Sequence, residues 1–192
     1  FSKIVNPLMK SRLLRRLLDA LLKIDLRRDL PGYEYPTFRR WFGARPAAAG
    51  KAGRRKIAYF YGCFTNTNET DVGKATVEVL EAHGLEVVVP AQRCCGIPRL
   101  GVGDLRGARE MGRRNIGLLL PTVREGIDIV FSSTSCGLML RHEYSRILSL
   151  PGAEELAGSL FDICEFLLRL READGTSPAL RPLALRAAYF AP

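Results

Sequence analysis

The chain has 192 residues and a formal net charge of +9, and 47% of its residues are hydrophobic and 26% charged, proportions that suit one globular domain with an appendage. No apolar run reaches the roughly 18 residues that a membrane-spanning helix needs, because Arg or Lys interrupts every leucine-rich stretch. The basic residues are spread over several predicted helices without the aromatic interleaving of a single-strand binder, so we predict no nucleic-acid partner.

Residues 1 to about 30 have an apolar pattern with helical period, which predicts an amphipathic helix. Its leucines share one side, opposite a set of mostly basic residues. The leucines are Leu13, Leu14, Leu17, Leu18, Leu21 and Leu22, and the opposite set is Arg12, Arg15, Arg16, Asp19 and Lys23. Two uses of the helix stay open. It could dock its leucines on a ferredoxin or catalytic partner, which we favour, or lie on anionic lipid through its basic side.

A break and a linker follow the helix. Pro31-Gly32 ends it, and an aromatic segment follows between Tyr33 and Phe42, of the kind that packs onto a neighbouring domain. Residues 44–55 then read ARPAAAGKAGRR, a composition typical of a linker. We therefore predict a helical and aromatic docking segment with its linker over residues 1–52, and the main domain over residues 53–192.

Beyond the linker, short buried-type strands alternate with helical patterns. Strands are predicted at 56–61, 85–89 and 127–131, and helices at 72–82, 104–123, 137–147 and 154–171. This alternation is typical of an α/β fold, a parallel sheet with helices on both faces, here preceded by the amphipathic segment. In such sheets the functional loops lie at the carboxyl ends of the strands.

Four of the five cysteines follow predicted strands. Cys63 follows the first strand, Cys94 and Cys95 follow the second, and Cys136 follows the third, so we expect all four to face one crevice. Thiolates are the ligands that iron-sulfur clusters select, although a four-thiolate zinc site needs no other residue. The fifth, Cys164, is predicted to be a core residue in the middle of a helix.

Residues beside the cysteines fit a bulky cofactor. Gly62 and Gly96 remove side chains where the backbone must turn tightly, and helices that start after these loops would point amides at a cluster. An odd number of cysteines, two of them adjacent, favours reduced thiols or metal ligands over disulfides. We therefore predict a reducing, cytoplasmic location.

Three stretches carry a resemblance to a known family: Tyr61-Gly62-Cys63, Cys94-Cys95-Gly96-Ile97-Pro98, and Ser133-Thr134-Ser135-Cys136. They resemble the cysteine-rich CCG domain found in the B-type component of heterodisulfide reductase and in related electron-transfer proteins. Within that family the chain most resembles the C-type component of anaerobic glycerol-3-phosphate dehydrogenases. The likeness extends to residues 25–31, 37–41 and 101–104 and to Glu143-Tyr144.

The resemblance implies an iron-sulfur electron-transfer subunit that passes electrons from a flavoprotein dehydrogenase subunit to membrane quinone, as a peripheral protein on the cytoplasmic face of the cell membrane. It implies a cluster of 4Fe-4S type on Cys63, Cys94, Cys95 and Cys136, with substrate dehydrogenation carried by the partner. A structural zinc scaffold and a heterodisulfide reductase-like thiol protein are the alternatives.

The resemblance has one departure and one further implication. Where the family pattern has Cys-x-x-Cys, this sequence has Ser133 three residues before Cys136, so one thiolate is replaced by a hydroxyl, which could ligate through oxygen. The sequence begins with Phe1, and a strand-like run starts near residue 187. We expect a piece of a longer protein, with a ferredoxin-like part before Phe1 and a second CCG module that starts at 187–192.

Overall fold

The computed structural model describes residues 2–46, 53–175, 184–186 and 188. The strand-like run predicted at 187–190, apart from the isolated Ala188, and the middle of the linker, residues 47–52, lie outside these residues. Among the described residues, no helix is both long and apolar enough to cross a bilayer.

Four strands form one parallel sheet in the order β2-β1-β3-β4. The strands are β1 (Lys56–Phe60), β2 (Glu86–Val88), β3 (Ile129–Phe131) and β4 (Leu160–Asp162). The first three confirm the predicted strands, each one or two residues shorter. The fourth was missed, because its three residues fall inside the region predicted as a single helix at 154–171.

Helices cover the connections between the strands. Before the sheet come α1 (Ser2–Lys10), α2 (Arg12–Leu22) and α3 (Phe38–Gly43). After β1 come α4 (Gly62–Thr67) and α5 (Thr70–Ala82), and after β2 come α6 (Ile97–Gly101) and α7 (Leu105–Arg124). After β3 come α8 (Thr134–Leu138), a π-helix (Met139–Glu143), α9 (Tyr144–Arg146) and α10 (Ala153–Gly158), and α11 (Ile163–Asp174) follows β4.

The sheet has an apolar core on each face, which confirms the predicted arrangement of helices on both sides. Because successive strand residues point to opposite faces, Ala58 and Phe60 join the core with α7, the π-helix and α10. Ile57 and Tyr59 join the opposite core with α5 and α11. Strands buried on both faces explain why the sequence shows continuous apolar runs there.

The aromatic segment is partly built into this second core. Phe38 is 0% exposed, and its ring lies 5.4 Å from that of Tyr59 and 5.1 Å from that of Tyr61 between centroids. Gly73 of α5 leaves room for it, since a Cβ there would lie 2.5 Å from the Phe38 ring. At least this residue of the predicted docking segment packs on the α/β domain of the same chain, while the boundary near residue 53 stays a prediction.

The amphipathic segment differs from its prediction in form. It comprises two helices divided at Ser11, and neither α1 nor α2 contains a buried residue. Leu13 is 80% exposed and Leu21 is 70% exposed. The apolar stripe that the sequence predicts is therefore present and largely exposed in the described part of the chain, although Leu14 and Leu18 are partly covered.

Candidate metal centre

The strand order places the cysteine-bearing loops beside one another. The chain moves from β1 outward to β2, crosses back to β3 and then moves outward to β4. In open parallel sheets, ligands bind at the carboxyl ends of the strands where the winding direction reverses. Here that point lies between β1 and β3. Cys63 follows β1 and Cys136 follows β3, so the two cysteines flank it.

The four cysteines differ in exposure. Cys63 lies in the first turn of α4 and is exposed, and Cys94 is partly exposed. Cys95 is 1% exposed and Cys136, on α8, is 6% exposed. The site therefore reaches from the core of the domain to its surface at the carboxyl end of the sheet.

The thiols of these residues form a row of side-chain contacts. Cys63 interacts with Cys94, Cys94 with Cys95, and Cys95 with Cys136. The row ends at Ser133, whose hydroxyl contacts the Cys136 thiol and lies 3.3 Å from the hydroxyl of Ser135. The structure thus brings together all five ligand positions that the sequence predicted, with Ser133 at one end; whether they ligate a metal stays a prediction.

Mutual hydrogen bonds and burial divide the thiols into two kinds. Hydrogen bonds from Cys63 and Cys95, followed by a bond from the backbone N–H of Gly96, lower the pKa of Cys94 to about 2. A hydrogen bond from Cys95 also lowers the pKa of Cys136. The pKa values of Cys63 and Cys95 are raised, because these thiols act as donors to Cys94 and Cys136 and are partly or fully desolvated. Thiolate, the form that binds metals, is therefore favoured at Cys94 and Cys136, while Cys63 and Cys95 are held as thiols.

Two glycines allow the loops to approach. Gly62 has φ 73°, and a Cβ at this position would lie 3.0 Å from the sulfur of Cys136. Gly96 has φ 93° and precedes the first residue of α6. Both positions use the left-handed region that L side chains avoid. The absence of a side chain at Gly62 also leaves space for the Cys136 sulfur between the loops after β1 and β3; the predicted role of the two glycines beside a cofactor stays a prediction.

Two buried polar side chains hold the backbone of the cysteine pair. Asn115 of α7 is 0% exposed; its Oδ1 accepts from the N–H of Arg93 at 2.8 Å, and its Nδ2 donates to the carbonyl of Cys94 at 3.0 Å. Tyr144 is also 0% exposed, and its hydroxyl donates to the carbonyl of Cys95 at 2.9 Å. Burial raises the pKa of the Tyr144 phenol, so the hydroxyl stays protonated and able to donate.

A third buried side chain joins the loops after β1 and β2. The Oε1 atom of Gln92 accepts from the N–H of Tyr61 at 3.0 Å, and its Nε2 donates to the carbonyl of Tyr59 at 3.0 Å. Because the side chain is buried, water competes little for the groups that make these two bonds. Gln92 therefore fixes the end of β1, which carries Cys63, relative to the loop that carries Cys94 and Cys95.

Sequence reasoning missed Gln92 and Asn115 and noted Tyr144 only as part of the family likeness. Asn115 does carry a signal. It lies next to Ile116 and one turn before Leu119 on the apolar side of α7, where an amide without partners would be costly. A polar residue on the core side of a helix therefore indicates that buried backbone groups nearby use its side chain as their hydrogen-bond partner. Gln92, in an irregular loop, has no such periodic context.

The prediction for Cys164 is wrong. This cysteine is exposed and lies in the first turn of α11, where its N–H donates to Oδ1 of Asp162 at 2.8 Å. Because β4 interrupts the predicted helix, α11 starts only at Ile163. Its buried stripe runs through Phe166 and Leu170. Cys164 lies two residues before Phe166, about 200° away around the helix, and so it faces outward and is not part of the row of thiols.

The row of thiols does not have the geometry of a site for one metal ion. Within the described residues, no group of three or more His, Cys, Asp or Glu side chains surrounds a position for a single metal ion. The thiols instead contact one another in a row. In an iron-sulfur cluster the cysteines bind different iron atoms, so they need not converge on one point. Soft thiolates with N–H donors from Gly96 and Ile97 fit the anionic ligand shell of such a cluster.

Comparison with known proteins agrees with this chemistry. The sequence profile of the cysteine-rich CCG domain matches residues 57–141, a range that includes β1, β2 and β3 and all four cysteines of the row. Residues 57–141 therefore form a CCG cysteine-rich domain, and the resemblance found in the three cysteine stretches is confirmed. No solved structure matches the chain significantly.

The similarity to individual proteins is wider than the domain. The whole chain is 36% identical to the C component of anaerobic glycerol-3-phosphate dehydrogenase from Escherichia coli K12 over 195 aligned positions, and it spans 48% of that protein. It is 31% identical to lactate utilization protein A of Bacillus cytotoxicus over 135 positions, which cover 67% of this chain and 54% of that protein. The chain thus spans about half the length of these curated relatives.

Proposed function

We propose that the chain is an iron-sulfur electron-transfer subunit in which Cys63, Cys94, Cys95 and Cys136 ligate a cluster of 4Fe-4S type. The observation that carries the proposal is the row of four thiols at the carboxyl ends of β1, β2 and β3, beside the point where the sheet reverses its winding. Such a cluster supplies one-electron redox chemistry when bound. The similarity to one component of a dehydrogenase supports a role within a larger complex.

The residues of the site would hold the cluster in different ways. Cys95 and Cys136 are buried and would anchor it in the core, while the exposed Cys63 would mark the side nearest solvent and a redox partner. The missing side chain at Gly62 leaves space beside the Cys136 sulfur. Ser133 occupies the position of a fifth ligand and contacts Cys136; its hydroxyl would ligate through oxygen or hydrogen-bond to the Cys136 sulfur.

The electron path is the finer part of the proposal. Electrons would come from a flavoprotein dehydrogenase subunit, in the manner of anaerobic glycerol-3-phosphate dehydrogenase, and leave to membrane quinone. The complex would lie on the cytoplasmic face of the membrane, and the chain itself would not bind the dehydrogenase substrate. The exposed leucines of α1 and α2 provide a surface for a protein partner or for lipid. Reduction of the bound cluster by glycerol 3-phosphate only when the dehydrogenase subunits are present would support this path.

Metal analysis of the anaerobically purified chain tests the ligand set. We expect a brown protein that contains iron and acid-labile sulfide in similar amounts, and a Cys95→Ala variant with most of the iron lost. Cys164→Ala is the matched control, because this fifth cysteine is exposed and is not part of the row of interacting thiols; it should keep its iron. A colourless protein that holds zinc would instead support the structural scaffold, and a full iron content in Cys95→Ala would refute the ligand assignment.

A further inference from the structure

Three consecutive carbonyl groups in the cysteine-pair loop accept hydrogen bonds from two side chains of one core. Asn115 Nδ2 donates to the carbonyl of Arg93 at 3.3 Å and to that of Cys94 at 3.0 Å. The hydroxyl of Tyr144 donates to the carbonyl of Cys95 at 2.9 Å. These residues lie outside helices and strands, so their carbonyls have no partner in secondary structure and depend on the two side chains.

The peptide between Cys95 and Gly96 connects Tyr144 to a cysteine sulfur. In a planar trans peptide the C=O and the following N–H point in opposite directions. The C=O of this peptide accepts from the Tyr144 hydroxyl at 2.9 Å, and the N–H of Gly96 interacts with the sulfur of Cys94. A single peptide unit therefore links the phenol to the sulfur of a proposed ligand.

We propose that Tyr144 is a positioning residue that raises the reduction potential of the cluster by fixing and polarising the Cys95–Gly96 peptide. The inference rests on the proposed function, because it needs a cluster bound to Cys94. Tyr144 would not itself ligate the cluster or touch it. It would act only through the backbone N–H of Gly96.

Electrostatics gives the direction of the effect. A hydrogen bond from an N–H to a ligand sulfur stabilises the more negative, reduced state of a cluster and so raises its potential. When the carbonyl at the other end of the peptide accepts a bond, the N–H becomes a stronger donor, because hydrogen bonds in a chain polarise one another. Loss of the Tyr144 hydroxyl would remove both the polarisation and the force that holds the peptide in place.

Asn115 defines where that hydroxyl points. Its Nδ2 shares two hydrogens among three acceptors, the two carbonyls and the Tyr144 oxygen at 3.2 Å; because it donates to that oxygen, the phenol proton is directed to the carbonyl of Cys95. Both side chains are 0% exposed, so water does not compete with these bonds. Gly112 provides the space for the ring, since a Cβ at this position would lie 3.2 Å from Tyr144 Cε1 and 2.3 Å from Leu150 Cδ1.

Tyr144→Phe in the full chain tests the inference, with the midpoint potential, the EPR spectrum of the reduced state and the iron content as readouts. We expect iron content equal to that of the wild type, a midpoint potential shifted to more negative values and altered g-values. The matched control is Tyr59→Phe. Tyr59 is also 0% exposed and its hydroxyl contacts Ser132 Oγ at 2.6 Å instead of the cysteine-pair loop, so its removal should shift the potential much less.

An unchanged potential in Tyr144→Phe, or an equal shift in Tyr59→Phe, would overturn the inference while leaving the proposed function intact. A wild-type chain without iron would overturn both. If Tyr144→Phe does not fold, 3-fluorotyrosine at position 144 gives the same test with the hydroxyl retained. The more acidic phenol is a stronger donor and should shift the potential to more positive values; a shift in the opposite direction, or none, would refute the role of Tyr144.

Discussion

In the loop after β2, Cys95 is 1% exposed and its carbonyl, like those of the two residues before it, is bonded to a buried side chain. In α2, Leu13 is 80% exposed and no residue is buried. Both regions have a strong sequence pattern, cysteines in one and leucines in the other. In the loop, the side chains that the cysteines and their carbonyls contact lie within the described chain. Most of the leucines lack such contacts among the described residues, as expected for the partner or lipid surface proposed above.

The largest effect is expected at Gly62, which begins α4 beside the row of thiols. Its backbone is left-handed, and its position is in close contact with a cysteine sulfur. Gly62→Ala should abolish iron binding, because the new Cβ would lie 3.0 Å from the Cys136 sulfur. Gly84→Ala is the matched control: Gly84 has a similar φ of 78° with nothing within 4 Å, so it carries only the left-handed strain of about 1–2 kcal/mol. Iron content and thermal unfolding of both variants separate the two effects. Equal iron in both would contradict the role of Gly62.

Asn115→Ala probes the buried support of the loop. The substitution leaves the carbonyls of Arg93 and Cys94 without their donor and opens a cavity in a 0% exposed position, so we expect the free energy of unfolding to fall by about 3 kcal/mol. Chemical denaturation of the metal-free chain measures it. A loss below about 1 kcal/mol would mean that the loop does not depend on these bonds.

Glu34, in the segment between α2 and α3, ties that segment to α5 and should have an intermediate effect. Its carboxylate accepts from the N–H of Thr70 at 2.8 Å, at the first residue of α5, and also from the Thr70 hydroxyl. Glu34→Gln keeps the size and removes the charge that favours a helix N-terminus, so the unfolding free energy should fall by about 1 kcal/mol. Asp71→Asn is a control on the same helix, since the Asp71 side chain is 86% exposed; a larger loss there would contradict the role of Glu34.

Leu17→Ser should have the smallest effect. Leu17 is 52% exposed, and exposed substitutions usually change stability by less than about 0.5 kcal/mol. Leu119→Ala, in the core at 0% exposed, is the comparison and should cost about 3 kcal/mol. Denaturation curves of the two variants test the contrast directly. A large loss for Leu17→Ser would show that α2 is held by contacts within the chain, and would refute its role as an external surface.

The sequence predicts the sheet and the meeting of the cysteines because both depend on local patterns. Buried strands of β1, β2 and β3 appear as apolar runs, and the cysteines follow directly after them. Parallel topology then brings the carboxyl ends together whatever the detailed packing. The prediction fails at β4, since three residues between two helices are too short to show a period. Asp162 with Glu165 three residues later is a capping signal that does mark the true start of α11.

The support of the site was not predictable in the same way. Asn115 lies 21 residues from Cys94 and Tyr144 lies 49 residues from Cys95 along the chain. Their contacts depend on how α7 and the helices after β3 pack on one face of the sheet. No local pattern encodes that packing, although a polar residue on the apolar side of α7 indicates that something is bonded there.

The π-helix at Met139–Glu143 ends at the residue before Tyr144. A π turn holds one residue more than an α turn, and in an α-helix each residue advances the side-chain direction by about 100°. Deletion of one residue from this turn would carry the phenol ring away from Cys95 without changing any residue of the cysteine loops. The π turn therefore determines whether Tyr144 contacts the cysteine-pair loop after β2. In relatives with similar cysteines, the length of this turn would decide whether that tyrosine can contact the loop.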